Sequence, residues 1–113
     1  MKIAIDIMNG DLSPSSTIIG ALSYINKNKN DFLYLVGKKA TFHSFRIDFK
    51  KSKYNNYKFI YAEDEILPSD SPTRLFRKKP DSSLIKSIQL LKDKEVDGVV
   101  SAGNTGALLS SSL

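Results

Sequence analysis

Three short segments carry residues whose types and spacing could do chemistry, and in each that chemistry is holding an anion or orienting hydroxyls. Ser101-Ala102-Gly103-Asn104-Thr105-Gly106-Ala107 follows the apolar pair Val99-Val100. Gly103 and Gly106 let backbone approach a ligand closely, while Ser101, Asn104 and Thr105 add polar side chains beside the N–H groups that open a helix. No Gly-Lys-Ser/Thr follows, so this is not a nucleoside-triphosphate loop. Upstream, Arg74, Arg77, Lys78 and Lys79 fall within six residues and precede the helix start Asp81-Ser82-Ser83. Arg77 and Lys79 with the hydroxyls of Ser82 and Ser83 make a candidate phosphate site. At the start of the chain, Asp6-Ile7-Met8-Asn9-Gly10-Asp11 puts one carboxylate at a strand end and another in a glycine-containing loop. Asp6, Gly10 and Asp11 there can bind a cation or orient hydroxyls. Each segment also has a plain structural reading: a strand-to-helix turn, an N-cap, a solvated run of cations.

Other chemistry is missing. The chain has no cysteine, so a thiolate metal site, a cysteine nucleophile and a disulfide scaffold are excluded. His43 is the only histidine and sits in a basic stretch, which makes a histidine triad or a histidine-bearing metal cluster improbable. There is no Gly-x-Ser-x-Gly elbow and no dinucleotide fingerprint. Neither a cofactor nor a metal is expected.

The elements that position these segments alternate. Lys2–Ile7, Phe32–Val36, Tyr57–Ala62 and Val96–Ser101 are rich in strand formers, and the first, second and fourth read as buried on both faces. Ser13-Pro14 opens a helix with Ile18, Ile19, Leu22 and Ile25 on its inner side. A second helix starts near Asp81-Ser82-Ser83 with Leu84, Ile85, Ile88 and Leu91 inward, and a short helical piece is expected around Thr41–Phe45. This alternation predicts an α/β fold, a mainly parallel open sheet with helices on both faces. All three candidate segments then fall at or just after strand C-termini, where such sheets bind ligands. A sheet stopping near Leu113 would leave an edge uncovered, so residues 1–113 are read as the N-terminal part of one larger domain.

The 113 residues are 41% hydrophobic and 26% charged, one domain of ordinary composition with a net charge of +5. The excess is local: Lys38, Lys39, Arg46, Lys50, Lys51, Lys53 and Lys58 face only Asp48 within residues 38–58. Such a stretch suits a nucleic acid, an acidic protein or an anionic lipid surface, or is simply solvated. No apolar run approaches a membrane span, and the N-terminus lacks the pattern of a signal peptide, so the cytoplasm is the expected compartment.

Taken in order, Met1-Lys2-Ile3-Ala4-Ile5-Asp6-x-Met8-x-Gly10-Asp11, Pro72-x-x-x-x-Arg77-x-Lys79-x-x-Ser82-Ser83 and Ser101-Ala102-Gly103-Asn104-Thr105-Gly106-Ala107-Leu108 resemble the phosphate acyltransferase family of bacterial phospholipid synthesis. The resemblance runs the whole chain, with the third motif the most specific. Family members are about three times longer. It implies a fold like that of phosphate acetyltransferase and isopropylmalate dehydrogenase. It also implies the reaction of acyl-[acyl-carrier-protein] with inorganic phosphate to give acyl-phosphate and free carrier protein. The implied partners are the acyl carrier protein, phosphate, a second copy in a homodimer, the membrane surface peripherally, and a glycerol-phosphate acyltransferase that takes up the product. Two departures stand out: Asn9 where the family usually has Gly, and Pro80 where a second Lys is usual. A short-chain transferase using acyl-coenzyme A and a basic nucleic-acid-binding module are the competing readings.

Overall fold

Period-two alternation makes Lys2–Asp6 the first strand, β1, with Ile3 and Ile5 facing one way and Ala4 and Asp6 the other. The computed structural model of the chain describes residues 1–8, 13–63 and 82–101. After β1 come α1 (Pro14–Lys27), β2 (Phe32–Gly37), α2 (Lys39–Ser44), α3 (Arg46–Lys50), β3 (Tyr57–Tyr61), α4 (Ser83–Lys92) and β4 (Gly98–Val100). The described strands form one sheet in the order β3-β2-β1-β4, with every neighbouring pair parallel. The expected open parallel α/β sheet is what the chain forms.

Strand parity divides the core in two. On one face Ile7, Leu33 and Leu35 pack with Ile18, Ala21 and Ile25 of α1, Phe42 of α2 and Phe49 of α3. Phe59 of β3 joins them, stacked on Phe42 at 4.6 Å and edge-on to Phe49 at 4.8 Å. Ala4, Asp6 and Val36 have the opposite parity, and the buried Leu84, Ile85 and Ile88 of α4 cover that second face. Helices therefore lie on both sides of the sheet.

The start of α1 follows its sequence signal. The Ser13 side chain accepts the Ser16 N–H at 3.2 Å, and Pro14 fills the first helical position. The inner stripe is Ile18, Ala21 and Ile25, whereas Ile19 is 61% exposed. One residue beyond Ile18 lies about 100° round the helix, which turns Ile19 outward. Beyond the end of the helix, Tyr24 donates its hydroxyl to Asp31, which also takes the N-terminal ammonium at 3.1 Å. The Tyr24 bond is the main cause that raises the Tyr24 pKa and lowers that of Asp31.

Asn56, just ahead of β3, ties that end of α1 to the sheet. Its Nδ2 donates to the carbonyls of Ile25, Asn28 and Asp31 at 3.1, 3.0 and 2.9 Å. The residue is buried, so these carbonyls have little access to replacement water. Asn56→Ala is expected to lower stability by about 2 kcal/mol. An unchanged urea midpoint would contradict it.

Three local expectations need correction. Arg46–Lys50 forms a second short helix, α3, in addition to the expected helical piece. β4 is not buried on both faces: Val100 is 57% exposed, because β4 has only β1 as a neighbour among the described strands. Leu91 is exposed in the last turn of α4, where the chain is already leaving for β4. The turn there is made by Lys94 at φ 60°, the left-handed region. The Glu95 N–H reaches the Leu90 carbonyl at 2.9 Å and the Lys94 N–H reaches that of Leu91 at 3.1 Å, the Schellman arrangement that usually takes glycine. Lys94→Gly is expected to raise stability by about 1 kcal/mol, read as a higher melting temperature. A fall would show that the lysine side chain contributes more than its backbone strain costs.

Candidate functional site at the carboxyl ends of β1 and β4

From β1 the chain moves outward through β2 to β3, then returns to the other side of β1 as β4. The order therefore reverses between β1 and β4, the switch point at whose carboxyl ends open α/β sheets take their ligands. Asp6 is the last residue of β1, and Ser101 directly follows β4. The β1–β4 register pairs Ile5 with Val100, so Asp6 and Ser101 come side by side.

They are joined by hydrogen bonds. The Ser101 hydroxyl donates to Asp6 Oδ2 at 3.0 Å, and the Ser83 hydroxyl donates to Oδ1 at 2.5 Å. The Met8 N–H also donates to Oδ1, at 3.1 Å. Asp6 is only 3% exposed, so these donors stand in for the water a carboxylate would otherwise need. Ser83 belongs to α4 because Ser82 caps that helix, its side chain accepting the Ile85 N–H at 3.2 Å. Ser87 braces the same turn by donating to the Ser83 carbonyl at 2.6 Å.

The described candidates are thus brought together: Asp6, Ser82, Ser83 and Ser101 all gather at one end of the sheet. Ser82 and Ser83 are wholly inside, one closing the helix and the other anchoring Asp6, while Ser101 is partly exposed. Gly10, Asp11, Arg77, Lys79, Gly103, Asn104, Thr105 and Gly106 lie outside the described residues. Two contributors escaped the sequence reading. Met8 acts through its backbone, which no residue type signals. Lys86, one turn into α4, donates from Nζ to the Tyr61 carbonyl at 2.7 Å and brings a cation to the end of β3. Its position just past the serine helix start was the available clue.

Three lysines of the basic stretch stand on different parts of the surface. Lys39 lies over Tyr61 at the carboxyl end of β3, Lys53 over Tyr54 in the loop before β3, and Lys58 over Tyr34. Lys58 has the opposite strand parity to Tyr57 and Phe59, so it belongs to the α4 side of the sheet. These three, neighbours in a run of charge, are separated in the fold. Among the described residues no group of three or more His, Cys, Asp or Glu could hold a metal ion. No helix there is long and apolar enough to cross a membrane.

Comparison with known proteins adds a second line of observation. The fatty acid synthesis protein family model matches residues 1–113. Over the whole chain the sequence is 46% identical to a phosphate acyltransferase of Dictyoglomus turgidum and 39% identical to one of Brevibacillus brevis. Over 99% of the chain it is 40% identical to a phosphate acyltransferase of Fusobacterium nucleatum. The chain spans 33% of the length of each of these relatives.

Proposed function

The chain belongs to the fatty acid synthesis protein family, and from that premise we propose that it is part of a phosphate acyltransferase domain that makes acyl-phosphate from an acyl thioester and inorganic phosphate. The observation that carries this reading is the meeting of three sequence segments at the switch between β1 and β4. Ser83 and Ser101 stand 77 and 95 residues from Asp6, yet both hydrogen-bond to its carboxylate.

The chemistry asks little of a protein nucleophile. Hydrogen phosphate attacks the thioester carbonyl, a carbon–oxygen bond forms and the carbon–sulfur bond breaks. The departing thiolate takes up the proton that hydrogen phosphate brought, so charge and atoms balance. The protein positions the anion and neutralises its charge while the tetrahedral intermediate forms. In this reading Ser101, Gly103, Asn104, Thr105 and Gly106 with the cations Arg77 and Lys79 hold phosphate, and Asp6 with Ser83 fixes the carboxyl end of β1. Gly10 and Asp11 are further candidates for this site, and Ser82 caps α4.

The donor is acyl-[acyl-carrier-protein], and the product feeds phospholipid synthesis through a glycerol-phosphate acyltransferase. The complete protein works as a homodimer in the cytoplasm, in peripheral contact with the membrane. What supports the donor assignment is the family resemblance. The test is trapping acyl-phosphate as hydroxamate from the complete protein, with acyl-[acyl-carrier-protein] and acyl-coenzyme A compared as donors. Phosphate-dependent hydroxamate from the carrier-protein donor is expected. Efficient use of acyl-coenzyme A alone would move the protein to the short-chain class, and no product from either would reject the reading.

A further inference from the structure

We propose that the amino end of the sheet, on the side of α1 and α3, is a docking surface for an anionic lipid bilayer. The contact is made by Lys27, Lys29, Lys50, Lys51 and Lys53, and it rests on the peripheral membrane contact proposed above. The described strands are parallel, so all of them start at this end, opposite to Asp6 and Ser101. Two segments far apart in the sequence meet there. The Lys53 N–H donates to Asn26 Oδ1 at 2.6 Å, and Asn56 Nδ2 donates to the carbonyls of Ile25, Asn28 and Asp31. The end of α1 and the turn after it are thereby tied to the loop between α3 and β3. Lys27 and Lys29 come from the first segment, and Lys50, Lys51 and Lys53 from the second.

All five side chains are exposed. Asp31, the acid between the two segments, already takes the N-terminal ammonium and the Tyr24 hydroxyl. Asp48 is the one acid of α3. Asp93, Glu95 and Asp97, mixed with Lys92 and Lys94, belong to the end of α4 and its turn into β4. The cations of this end therefore gather on the α1 and α3 side. Lysines on flexible stems meet a diffuse layer of lipid phosphates as point charges, and no arginine fork for gripping a single phosphate occurs within residues 26–31 or 50–56. Each lysine near such a surface contributes about fivefold in affinity, and the attraction fades within about 10 Å at 0.1 M salt.

The position in the fold favours a bilayer over an acidic carrier protein. A carrier docked at the amino end would hold its thioester at the opposite end of the sheet from the candidate phosphate site. A bilayer there leaves the carboxyl ends open to a soluble donor.

The experiment measures binding of the complete protein to phosphatidylglycerol vesicles and to phosphatidylcholine vesicles by co-sedimentation. Two double variants of equal charge change are compared, Lys29→Glu with Lys53→Glu and Lys39→Glu with Lys58→Glu. The unmodified protein is expected to bind only the anionic vesicles and to be released by 0.5 M salt, about 3 Å of screening length being left there. The first variant is expected to lose at least twentyfold in affinity, and the second less than threefold. A footprint on the unmodified protein needs no variant to fold: anionic vesicles should protect Lys27, Lys29, Lys50, Lys51 and Lys53 from acetylation and leave Lys39 and Lys58 reactive. Equal losses in the two variants, or protection elsewhere, would overturn this surface and leave the membrane contact standing. Equal binding to both kinds of vesicle would do the same. Binding to neither would reject surface and membrane contact together, while acyl-phosphate formation without vesicles tests the reaction separately. Binding of an oligonucleotide or an acidic carrier protein through these lysines, with no vesicle binding, would assign the surface to that partner and overturn the proposal.

Discussion

Asn104→Asp in the complete protein is expected to lower the phosphate-dependent rate by roughly two to three orders of magnitude. Asn104 lies outside the described residues, and the expectation starts from its place in the chain, three positions past Ser101 in Ser-Ala-Gly-Asn-Thr-Gly. The sequence reads there as the turn from strand to helix, where N–H groups are available and an anion is favoured. Asn can donate to a phosphate oxygen through its amide, whereas Asp has nearly the same shape and only accepts. The exchange replaces a donor by a negative charge facing a dianion. Two unit charges about 4 Å apart repel by about 4 kcal/mol at an effective dielectric near 20, before further screening. At about 1.4 kcal/mol per factor of ten, that is the expected loss. Asp is also a good helix-start residue, so the melting temperature should hold. Near-normal phosphate dependence would show the turn to be a connection only.

Ser83→Ala is expected to lower stability by about 3 kcal/mol, the largest structural effect of any single hydroxyl described here. Its hydroxyl is the closest of the described donors to a carboxylate that is nearly closed off from water. Alanine removes the shorter of the two described hydrogen bonds to Oδ1. It also removes the side-chain link between α4 and β1 across the second face of the sheet. Ser82→Ala provides the comparison, since it removes only a helix cap and should cost about 1 kcal/mol. Urea unfolding of both variants reads the difference. Equal losses would mean that the Asp6–Ser83 bond contributes no more than an ordinary cap.

The parts of the fold that were legible in the sequence were those with short-range causes. Ser13-Pro14 announces α1 because capping and proline geometry act within a few residues. The short run of strand formers Lys2–Ile7 announces β1 because isoleucine-rich stretches favour an extended backbone. Arg46–Lys50 was hidden because the helical spacing of Phe42, Phe45 and Phe49 runs on while the backbone breaks at Phe45, which closes α2 and precedes α3. The left-handed Lys94 was hidden because glycine, the usual mark of such a turn, is absent.

The candidate site divides the same way. Residue type and position at a strand end pointed to Asp6 and Ser101. Strand parity even implies that Asp6 faces away from Ile5. What no local pattern contains is the helix covering that face, or that the covering helix brings Ser83 to the carboxylate from 77 residues away. Nor does the charge run between residues 38 and 58 reveal that parity and turns separate Lys39, Lys53 and Lys58. Those facts belong to the tertiary arrangement, in which strand order places β4 beside β1.

The most direct test of the central claim asks whether phosphate itself is the nucleophile. The complete protein is given acyl-[acyl-carrier-protein] and inorganic phosphate labelled with oxygen-18 at every oxygen, and the products are read by mass spectrometry. The expected result is acyl-phosphate that retains every labelled oxygen, with carrier protein released in equal amount and none released when phosphate is left out. Release of carrier protein with unlabelled free fatty acid, at the same rate with or without phosphate, would contradict the account and make the protein a thioester hydrolase.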